Sequence, residues 1–339
     1  MAAATTLFES LDPNTFLEIV EEASGKKLTG ICRPYTSYIN RVFELQTEDG
    51  ESLVAKFYRP GRWSESAIQE EHDFLLELNE AEIPVIAPLS LQNGKTIGST
   101  GKILFALFPK KGGRTRDELT DGEWLEVGRL LGRTHQIGAG RAASSRVMWT
   151  PAEITKSQID FILKGGFVPE GLVGSFEKSA RRFVEKSSPL FENAALIRIH
   201  GDLHYANLIC RPGVQGRAAR GASDQPGEYF FLIDFDDMAM GPAVQDLWML
   251  LPGHREDSAR EIQLFIEGYE TFRDFPHAEL RLIEALRGMR YLHYCSWLAR
   301  QAADGGFSED HAEWGTESYW REFIPDLERQ IERIDEGLN

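Results

Sequence analysis

The chain has 339 residues and a net charge of −16, with 42% hydrophobic and 27% charged residues. This length accommodates two domains or lobes with a substantial core, and the composition is that of an ordinary globular protein. Because the net charge is negative and no block of lysine or arginine occurs, we do not expect the protein to bind nucleic acid or anionic membranes.

Neither the cysteines nor the N-terminus indicates export or membrane insertion. Cys32, Cys210 and Cys295 are odd in number and far apart, so they predict neither a disulfide framework nor a zinc site. The first residues, MAAATTLFES, lack a basic segment and a long apolar core. No run approaches the roughly 18 apolar residues of a membrane span. We therefore expect a cytoplasmic protein.

The first part of the chain has the pattern of a small antiparallel sheet with helices. Asp12 is the expected N-cap of the first helix, and Asp49-Gly50 is typical of a hairpin turn. In chain order, the pattern predicts a helix at about 13–23, strands at 28–33, 41–46 and 53–58, a helix at about 64–82, and strands at 84–91 and 102–108.

Two charged residues lie where apolar residues are expected. Lys56 lies inside the strand LVAKFY, where it is costly unless a partner or an anion meets it. Glu71 lies in the centre of a helical stripe formed by Ile68, Leu75 and Leu78. A carboxylate on a buried face needs a cation, and Lys56 is the obvious candidate. The alternative is that Glu71 lies at a partly wet edge.

Residues 109–114, PKKGGR, follow the last strand of this sheet and indicate a hinge between lobes. The remainder is mainly helical, with an embedded hairpin and a long polar loop at 213–227 that we expect to be a disordered surface excursion. This part has predicted helices at 123–136, 154–164, 174–187, 258–272, 277–302 and 319–338, and short strands at 196–199, 208–210 and 229–233. The layout is α+β and two-lobed.

The stretch from 196 to 251 carries the residues suited to phosphoryl transfer. Asp202 and Asn207 lie on one polar loop, and Asp234 follows the apolar run YFFLI. Phosphoryl transfer from ATP requires a carboxylate that orients the attacking hydroxyl, hard oxygen ligands for Mg²⁺, and a lysine that holds the donor phosphates. Asp202, the pair Asn207 and Asp234, and Lys56 match these needs.

The spacing His200-x-Asp202-x-x-x-x-Asn207 resembles the protein-kinase catalytic loop, with Gly201 in the usual arginine position. HGDLHYAN followed by IDFDD is similar to the aminoglycoside phosphotransferase and choline kinase branch of that superfamily. SYINRVFEL, VAKFYRPGRW, EEHDFLLEL, IDFDDMAMGPAVQDLWMLL and LIEALRGMRYLHYCSWLAR further resemble the bacterial stress response kinase A family. The resemblance extends over residues 11–320.

The resemblance implies a role for each matching residue. Asp202 becomes the catalytic base, and Asn207 and Asp234 become the Mg²⁺ ligands. In this family Asp234 has also been assigned as an aspartyl-phosphate intermediate; we favour metal ligation, although one carboxylate suits both roles. Lys56 would hold the α- and β-phosphates of ATP, braced by Glu71.

The resemblance also implies that Ser37 lies over the ATP phosphates, in the turn between the first two strands. Residues 34–40, PYTSYIN, contain no glycine, so this turn departs from the usual glycine-rich loop. The implied lobes are a nucleotide-binding N-terminal lobe at 1–108, a hinge at 109–114, and a catalytic and substrate lobe at 115–339.

Several residues between 196 and 251 allow more than one interpretation. Strand alternation from Asp234 places Asp236 on the same side, so Asp236 is a candidate for a further metal ligand. A solvated or backbone-capping carboxylate is the equally weighted alternative. Asp237 is better explained as a solvated or capping residue, and Asp246 as a structural one that supports the catalytic loop. His200 is expected to brace that loop by hydrogen bonds.

Histidine and aromatic residues outside the motif are expected to be structural. His135 is predicted to be a hydrogen-bonded residue at a helix end, and His204 is open between substrate contact and surface. Tyr291, Tyr294 and Trp297 recur at helical spacing, which favours core packing over an aromatic substrate box.

The family resemblance implies a monomeric, ATP- and Mg²⁺-dependent serine/threonine protein kinase linked to stress survival. The alternative is a small-molecule kinase that acts on an aminoglycoside, choline, homoserine or a sugar, because the same base and metal ligands serve both. An acidic cleft would suit a cationic acceptor of either kind. A binding module without activity is disfavoured, since every residue of the expected site is present.

Overall fold

The computed structural model describes residues 11, 13–35, 37, 39–212, 228–303, 311 and 313–337. The N-terminal half of the fold is a five-stranded antiparallel sheet in the order β1-β2-β3-β5-β4. Its elements are α1 (Pro13–Ser24), β1 (Leu28–Pro34), β2 (Arg41–Thr47), β3 (Ser52–Phe57), α2 (Glu65–Glu80), β4 (Gly98–Thr100) and β5 (Ile103–Pro109). Asp12, the expected N-cap, lies outside the described residues.

Alternation along β3 decides which side chains face the core of the sheet. Ala55 and Phe57 are buried with Phe16 and Phe105 in an aromatic cluster beneath the sheet. Lys56 therefore points to the opposite face, because successive strand residues alternate. The alternation of side chains along β3 thus directs Lys56 away from the aromatic cluster beneath the sheet.

The predicted strand at 84–91 is wrong. The segment is irregular and makes only one isolated bridge, Val85 to Leu232, among the residues described. Pro84 and Pro88 explain the difference, since proline has no amide hydrogen to donate to a ladder. The three-residue strand β4 was not predicted, because so short an element has no readable periodicity.

The C-terminal half is mainly helical. Its helices are α3 (Asp121–Gly138), α4 (Lys156–Lys164), α5 (Val173–Ser187), α6 (Gln245–Trp248), α7 (Ala259–Tyr269), α8 (Ile283–Ala303) and α9 (Glu317–Glu336). Two antiparallel strand pairs are embedded in it, β6 (Ile197–Ile199) with β9 (Ala239–Gly241) and β7 (Leu208–Pro212) with β8 (Glu228–Leu232). The loop at 213–227 lies outside the described residues.

Helix α2 packs against the helical half as well as against the sheet. Phe74, Leu75 and Leu78 belong to the same buried cluster as the helices of the C-terminal half. Arg198, next to the catalytic loop, donates to Glu77 at 2.6 Å and lies over the Phe74 ring. Helix α2 is thus fixed to both halves, and the lobe boundaries at 108/109 and 114/115 stay predictions.

No described helix is long and apolar enough to cross a membrane.

Candidate active site

The loop after β6 turns sharply at Gly201. This residue has φ = +87°, and a Cβ placed on it would lie 2.2 Å from the carbonyl oxygen of Asp237. A side chain is excluded here both by the backbone conformation and by the close approach of a second segment. The position where protein kinases carry arginine must therefore be glycine in this chain.

Asp246 supports the turn from below, as the sequence indicated. Its Oδ2 accepts from the His200 amide (2.7 Å) and its Oδ1 from the Gly201 amide (2.9 Å). His135 lies 3.0 Å from Oδ2 through Nε2, and its Nδ1 lies 3.0 Å from the Tyr269 hydroxyl. All of these groups are buried. Asp246 and His135 are thus structural.

His200 joins the catalytic loop to the end of β8. Its Nε2 donates to the Ile233 carbonyl (2.7 Å), and its Nδ1 accepts from the Asp202 amide (3.3 Å). The Ile233 amide in turn donates to the Asn207 carbonyl at 3.1 Å. Since Asp234 follows Ile233, these bonds bring Asp202, Asn207 and Asp234 to one place.

Asn207 and Asp234 present oxygens that suit a hard cation. The Asn207 Nδ2 donates to the Asp202 carbonyl (2.9 Å), so the amide is oriented and its Oδ1 remains as a ligand atom. Asp234 has a left-handed backbone (φ = 59°), and its side chain is 58% exposed. The part of the chain that the structure describes has no cluster of three His, Cys, Asp or Glu residues that would enclose a metal. This donor set fits Mg²⁺, which keeps waters and phosphate oxygens in its shell.

The continued-strand geometry considered for Asp236 is wrong. β8 ends at Leu232, and Phe235–Asp237 form a 3₁₀ turn. The turn nevertheless buries Asp236, where Asn40 Nδ2 donates to its Oδ1 (3.0 Å) and Arg62 Nε lies 3.1 Å from its Oδ2. Asp236 is thus a buried ion-pair residue that links the two halves of the fold.

Lys56 is surrounded by three carboxylates. Its Nζ lies 2.8 Å from Asp236, 3.6 Å from Asp234 and 3.7 Å from Glu71. Burial disfavours the ammonium, but the charges of Asp236 and Glu71 outweigh it and raise the Lys56 pKa well above its usual value. Lys56 therefore stays charged.

Glu71 is buried, so the alternative that it lies at a partly wet edge of the helix is wrong. Its shortest ion pair is with Arg146, whose Nη2 donates at 2.7 Å and which also donates to the carbonyls of Ala67 and Asp236. Arg146 was not predicted from the sequence, because it lies in a short irregular segment without periodicity. Arg62 and Asn40 were not predicted for the same reason.

Ser37 lies in the exposed connection between β1 and β2. This is the turn that the sequence assigned to it, and its placement over ATP phosphates stays a prediction.

Asp202 lies at the opening of the site. Arg290 Nη1 donates to its Oδ1 at 2.8 Å, and His204 Nε2 lies 3.6 Å from its Oδ2. Burial opposes ionisation of Asp202, but hydrogen bonding from His204 and the charge of Arg290 prevail and lower its pKa to about 2. His204 thus contacts the site, and Asp202 is ionised at neutral pH.

Comparison with known proteins identifies the family. The model of the phosphotransferase enzyme family (APH) matches residues 31–283, which include every predicted site residue. Stress response kinase A of Escherichia coli (strain K12) is 35% identical over 314 residues, covering 92% of this chain and 90% of that protein. The serine/threonine protein kinase RdoA of Salmonella typhimurium is 35% identical over 315 residues, covering 93% and 90%. The chain belongs to the APH phosphotransferase family.

Solved kinase structures confirm the predicted kinase-like α+β fold. Amicoumacin kinase hAmiN in complex with AMP-PNP, Ca²⁺ and Ami superposes with a TM-score of 0.73 at 18% identity, covering 96% of each chain. Choline kinase LicA from Streptococcus pneumoniae gives 0.61 at 14% identity, covering 94% of this chain and 98% of that one. At such identities the likeness shows the fold alone.

A cleft of about 870 Å³ opens beside Asp202 in this APH chain. Tyr294 and Trp297 line it, Tyr294 is 42% exposed, and their rings stack at 5.7 Å. The expectation that these two residues pack in the core is wrong, because helical periodicity shows which residues share a face and not what covers that face.

The described residues that line the cleft are not predominantly acidic. The charged ones are Arg59, Arg62, Asp202, Asp237, Arg290 and Arg300. Two of these arginines are paired with the two aspartates, Arg290 with Asp202 at 2.8 Å and Arg62 with Asp237 at 2.7 Å. The sequence signal that identifies this face in retrospect is the spacing of Arg290 and Arg300 around Tyr294 and Trp297 on one helix.

Proposed function

We propose that this APH-family protein is an ATP- and Mg²⁺-dependent kinase that transfers the γ-phosphoryl group to a hydroxyl oriented by Asp202. The observation that carries the proposal is the convergence of four chemical groups. Asp202 and Asn207 share one loop, that loop is hydrogen-bonded to the residue before Asp234, and Lys56 lies 3.6 Å from Asp234.

Each group has one task in the proposed reaction. Asp202 accepts a hydrogen bond from the acceptor hydroxyl and takes its proton as the oxygen attacks phosphorus. Lys56 holds the donor phosphates, and Ser37 and nearby amides cover them. Asn207 and Asp234 would hold Mg²⁺, which neutralises charge on the phosphates when bound. We assign ligation, rather than an aspartyl-phosphate, to Asp234.

The acceptor we propose is a serine or threonine of a protein. The support is the identity of 35% over more than nine tenths of the chain to relatives named stress response kinase A and serine/threonine protein kinase RdoA. A role in the stress response, a cytoplasmic location and a monomeric state belong to the same proposal. So does the division into a nucleotide lobe (1–108), a hinge (109–114) and a substrate lobe (115–339).

A small-molecule acceptor is the second candidate, because a cleft of about 870 Å³ has the size of a small-ligand site. The test is transfer from radiolabelled ATP with Mg²⁺ to an acidic protein, a basic protein, and a panel of amino alcohols, aminoglycosides, homoserine and sugars. Label on serine or threonine of a protein supports the proposal. Label on small alcohols only overturns the protein acceptor and supports the second candidate.

The matched variant for this assay is Asp202→Asn, which keeps the shape of the side chain and removes the base. Transfer should fall by roughly 10²- to 10⁴-fold, while nucleotide binding is retained. Unchanged transfer by this variant overturns the assignment of the base.

A further inference from the structure

The backbone of Asp202 is held from two sides, but these bonds leave its side chain free to turn. Its carbonyl accepts from the Asn207 side chain at 2.9 Å, and its amide donates to His200 at 3.3 Å. Neither bond involves the carboxylate, whose terminal torsion is intrinsically broad. A further contact is therefore needed to direct one carboxylate oxygen toward an acceptor hydroxyl.

Arg290 supplies that contact from helix α8, 88 positions away in the chain. Its Nη1 donates to the Asp202 Oδ1 at 2.8 Å. The other oxygen, Oδ2, has a longer and weaker contact, with His204 Nε2 at 3.6 Å. The two oxygens of the proposed base thus differ, because Oδ1 is held and Oδ2 is left to accept from a hydroxyl.

Helix α8 is fixed in place close to Arg290. At Gly288, a Cβ would lie 2.3 Å from the Phe183 ring, so α8 and α5 are in direct contact there. One turn earlier, the Gln330 side chain of α9 donates to the Glu284 carboxylate at 2.8 Å. Because two helices hold this part of α8, the Arg290 side chain extends from a fixed point.

The contact between Arg290 and Asp202 joins one nitrogen to one oxygen. A bidentate pair would occupy both carboxylate oxygens, which this arrangement avoids. The two side chains are 31% and 21% exposed, so the pair lies beside solvent at the opening of the site. Such an accessible ion pair contributes little to the stability of the fold. Its effect is therefore expected in the geometry of the reaction.

We propose that Arg290 is a positioning residue for phosphoryl transfer, which holds Oδ1 and thereby turns Oδ2 of Asp202 toward the acceptor hydroxyl. This rests on the proposed function and on Asp202 as the base, and it applies equally to a protein and to a small-molecule acceptor. Displacement of a reacting group by about 1 Å costs roughly 10²-fold in rate. Arg290 thus acts through Asp202, and not on ATP or the acceptor.

Arg290→Met tests the inference in the full-length protein, with radiolabelled ATP and the panel acceptor that the wild type labels fastest. The value of kcat should fall by about 10- to 100-fold, because Oδ2 is no longer directed. The KM for ATP and the KM for the acceptor should change by less than about twofold. Arg290→Lys should recover part of kcat, since one nitrogen suffices for a contact with one oxygen.

Chemical rescue separates positioning from a merely structural role. Arg290→Ala leaves a gap beside Asp202 that is open to solvent, because the arginine side chain is 31% exposed. Guanidinium chloride at about 50 mM, far below the molar concentrations that unfold proteins, should raise kcat of this variant about three- to tenfold. Urea, which has a similar shape without the charge, and sodium chloride at equal ionic strength should not.

Arg287→Met is the matched control on the same helix. Arg287 donates to the Gly253 carbonyl at 2.6 Å and lies over the Trp248 ring, so its contacts are structural. This variant should lower the unfolding free energy but keep kcat while it is folded, and guanidinium should not raise its activity. Urea unfolding of every variant shows whether a loss of kcat is a loss of the fold.

The outcomes separate this inference from the proposed function. A normal or higher kcat for Arg290→Met, or no rescue of Arg290→Ala by guanidinium, overturns the positioning role and leaves the kinase standing. A change in the acceptor KM alone assigns Arg290 to acceptor binding and also overturns the positioning role. No transfer by the wild type to any acceptor overturns both.

Discussion

Lys56 lies closer to Asp236 than to Glu71, with Nζ 2.8 Å from Asp236 Oδ1 and 3.7 Å from Glu71 Oε1. The kinase-like lysine–glutamate pair is therefore part of a larger buried network, in which Glu71 is paired more closely with Arg146. Lys56 and Arg62 together hold the pKa of Asp236 well below its usual value despite its burial. Asp236 links the sheet to the helical half.

Double-mutant cycles on the nucleotide-free protein should rank these contacts. Lys56→Met combined with Asp236→Asn should give a coupling energy of about 2 kcal/mol, and Lys56→Met with Glu71→Gln about half of that. Both pairs are buried, but only the Lys56–Asp236 distance of 2.8 Å is short enough for a hydrogen bond, whereas the Lys56–Glu71 distance is 3.7 Å. Urea unfolding of the wild type, the single variants and the double variants provides the measurement. An equal or larger coupling to Glu71 would contradict the ranking.

Gly201 is required for two separate reasons, and a second glycine distinguishes them. Gly201→Ala adds the strain of a positive φ and a contact 2.2 Å from the Asp237 carbonyl, so it should lower the unfolding free energy by roughly 2–4 kcal/mol and displace the catalytic loop. Gly94→Ala adds a positive φ of 77° without any atom nearby and should cost only about 1 kcal/mol.

Phosphoryl transfer and urea unfolding of both glycine variants test this. Gly201→Ala should lose most of its activity at temperatures where it is still folded, whereas Gly94→Ala should retain it. If the two variants lose equal stability, the contact with the Asp237 carbonyl is not significant.

Asp246 holds the catalytic loop through two backbone amides. In Asp246→Asn an amide group replaces one acceptor oxygen, so a buried N–H of His200 or Gly201 loses its partner, at a cost of about 1–3 kcal/mol. We expect a lower unfolding free energy and a lower kcat with little change in the KM for ATP. Asp257→Asn, at an exposed position, is the control. A normal kcat for Asp246→Asn would show that the loop needs no such support.

Local patterns in the sequence predicted the residues that carry the proposed chemistry. Lys56 was recognised as a lysine inside a strand, Glu71 as a carboxylate within an apolar stripe, and Asp202 and Asn207 by their spacing. Each signal is contained within a few residues of one element. The structure brings these residues together because strand alternation and the catalytic turn direct their side chains toward one opening.

The residues that the sequence did not predict act through contacts distant in the chain. Arg146 meets Glu71 across 75 positions, and Asn40 meets Asp236 across 196. Neither arginine nor asparagine in an irregular segment carries a periodic signal. The aromatic side of α8 was misjudged for a related reason, since the cleft that exposes Tyr294 is formed by elements far from it in sequence.

The protonation of His72 is expected to make the unfolding free energy depend on pH. It is fully buried, with Nε2 2.9 Å from the Tyr58 hydroxyl and Nδ1 2.8 Å from the Thr96 hydroxyl. Burial, together with the charges of Lys56 and Arg146, lowers its pKa to about 3. An unfolded chain binds a proton at this histidine below about pH 6.5, whereas the folded protein does not. Its contribution to stability is therefore complete above pH 6.5 and is lost as the pH falls toward 3.

His72→Gln removes this titration and keeps a neutral polar side chain. Between pH 6.5 and 5 the variant should lose about 1.5 kcal/mol less unfolding free energy than the wild type. Urea unfolding at the two pH values measures the difference. His277→Gln, which alters an exposed histidine that pairs with Glu270, should follow the wild type. The wild type loses more unfolding free energy only if His72 stays neutral in the folded protein and takes up a proton on unfolding. Equal losses in the wild type and His72→Gln would therefore mean that His72 is already protonated in the folded protein.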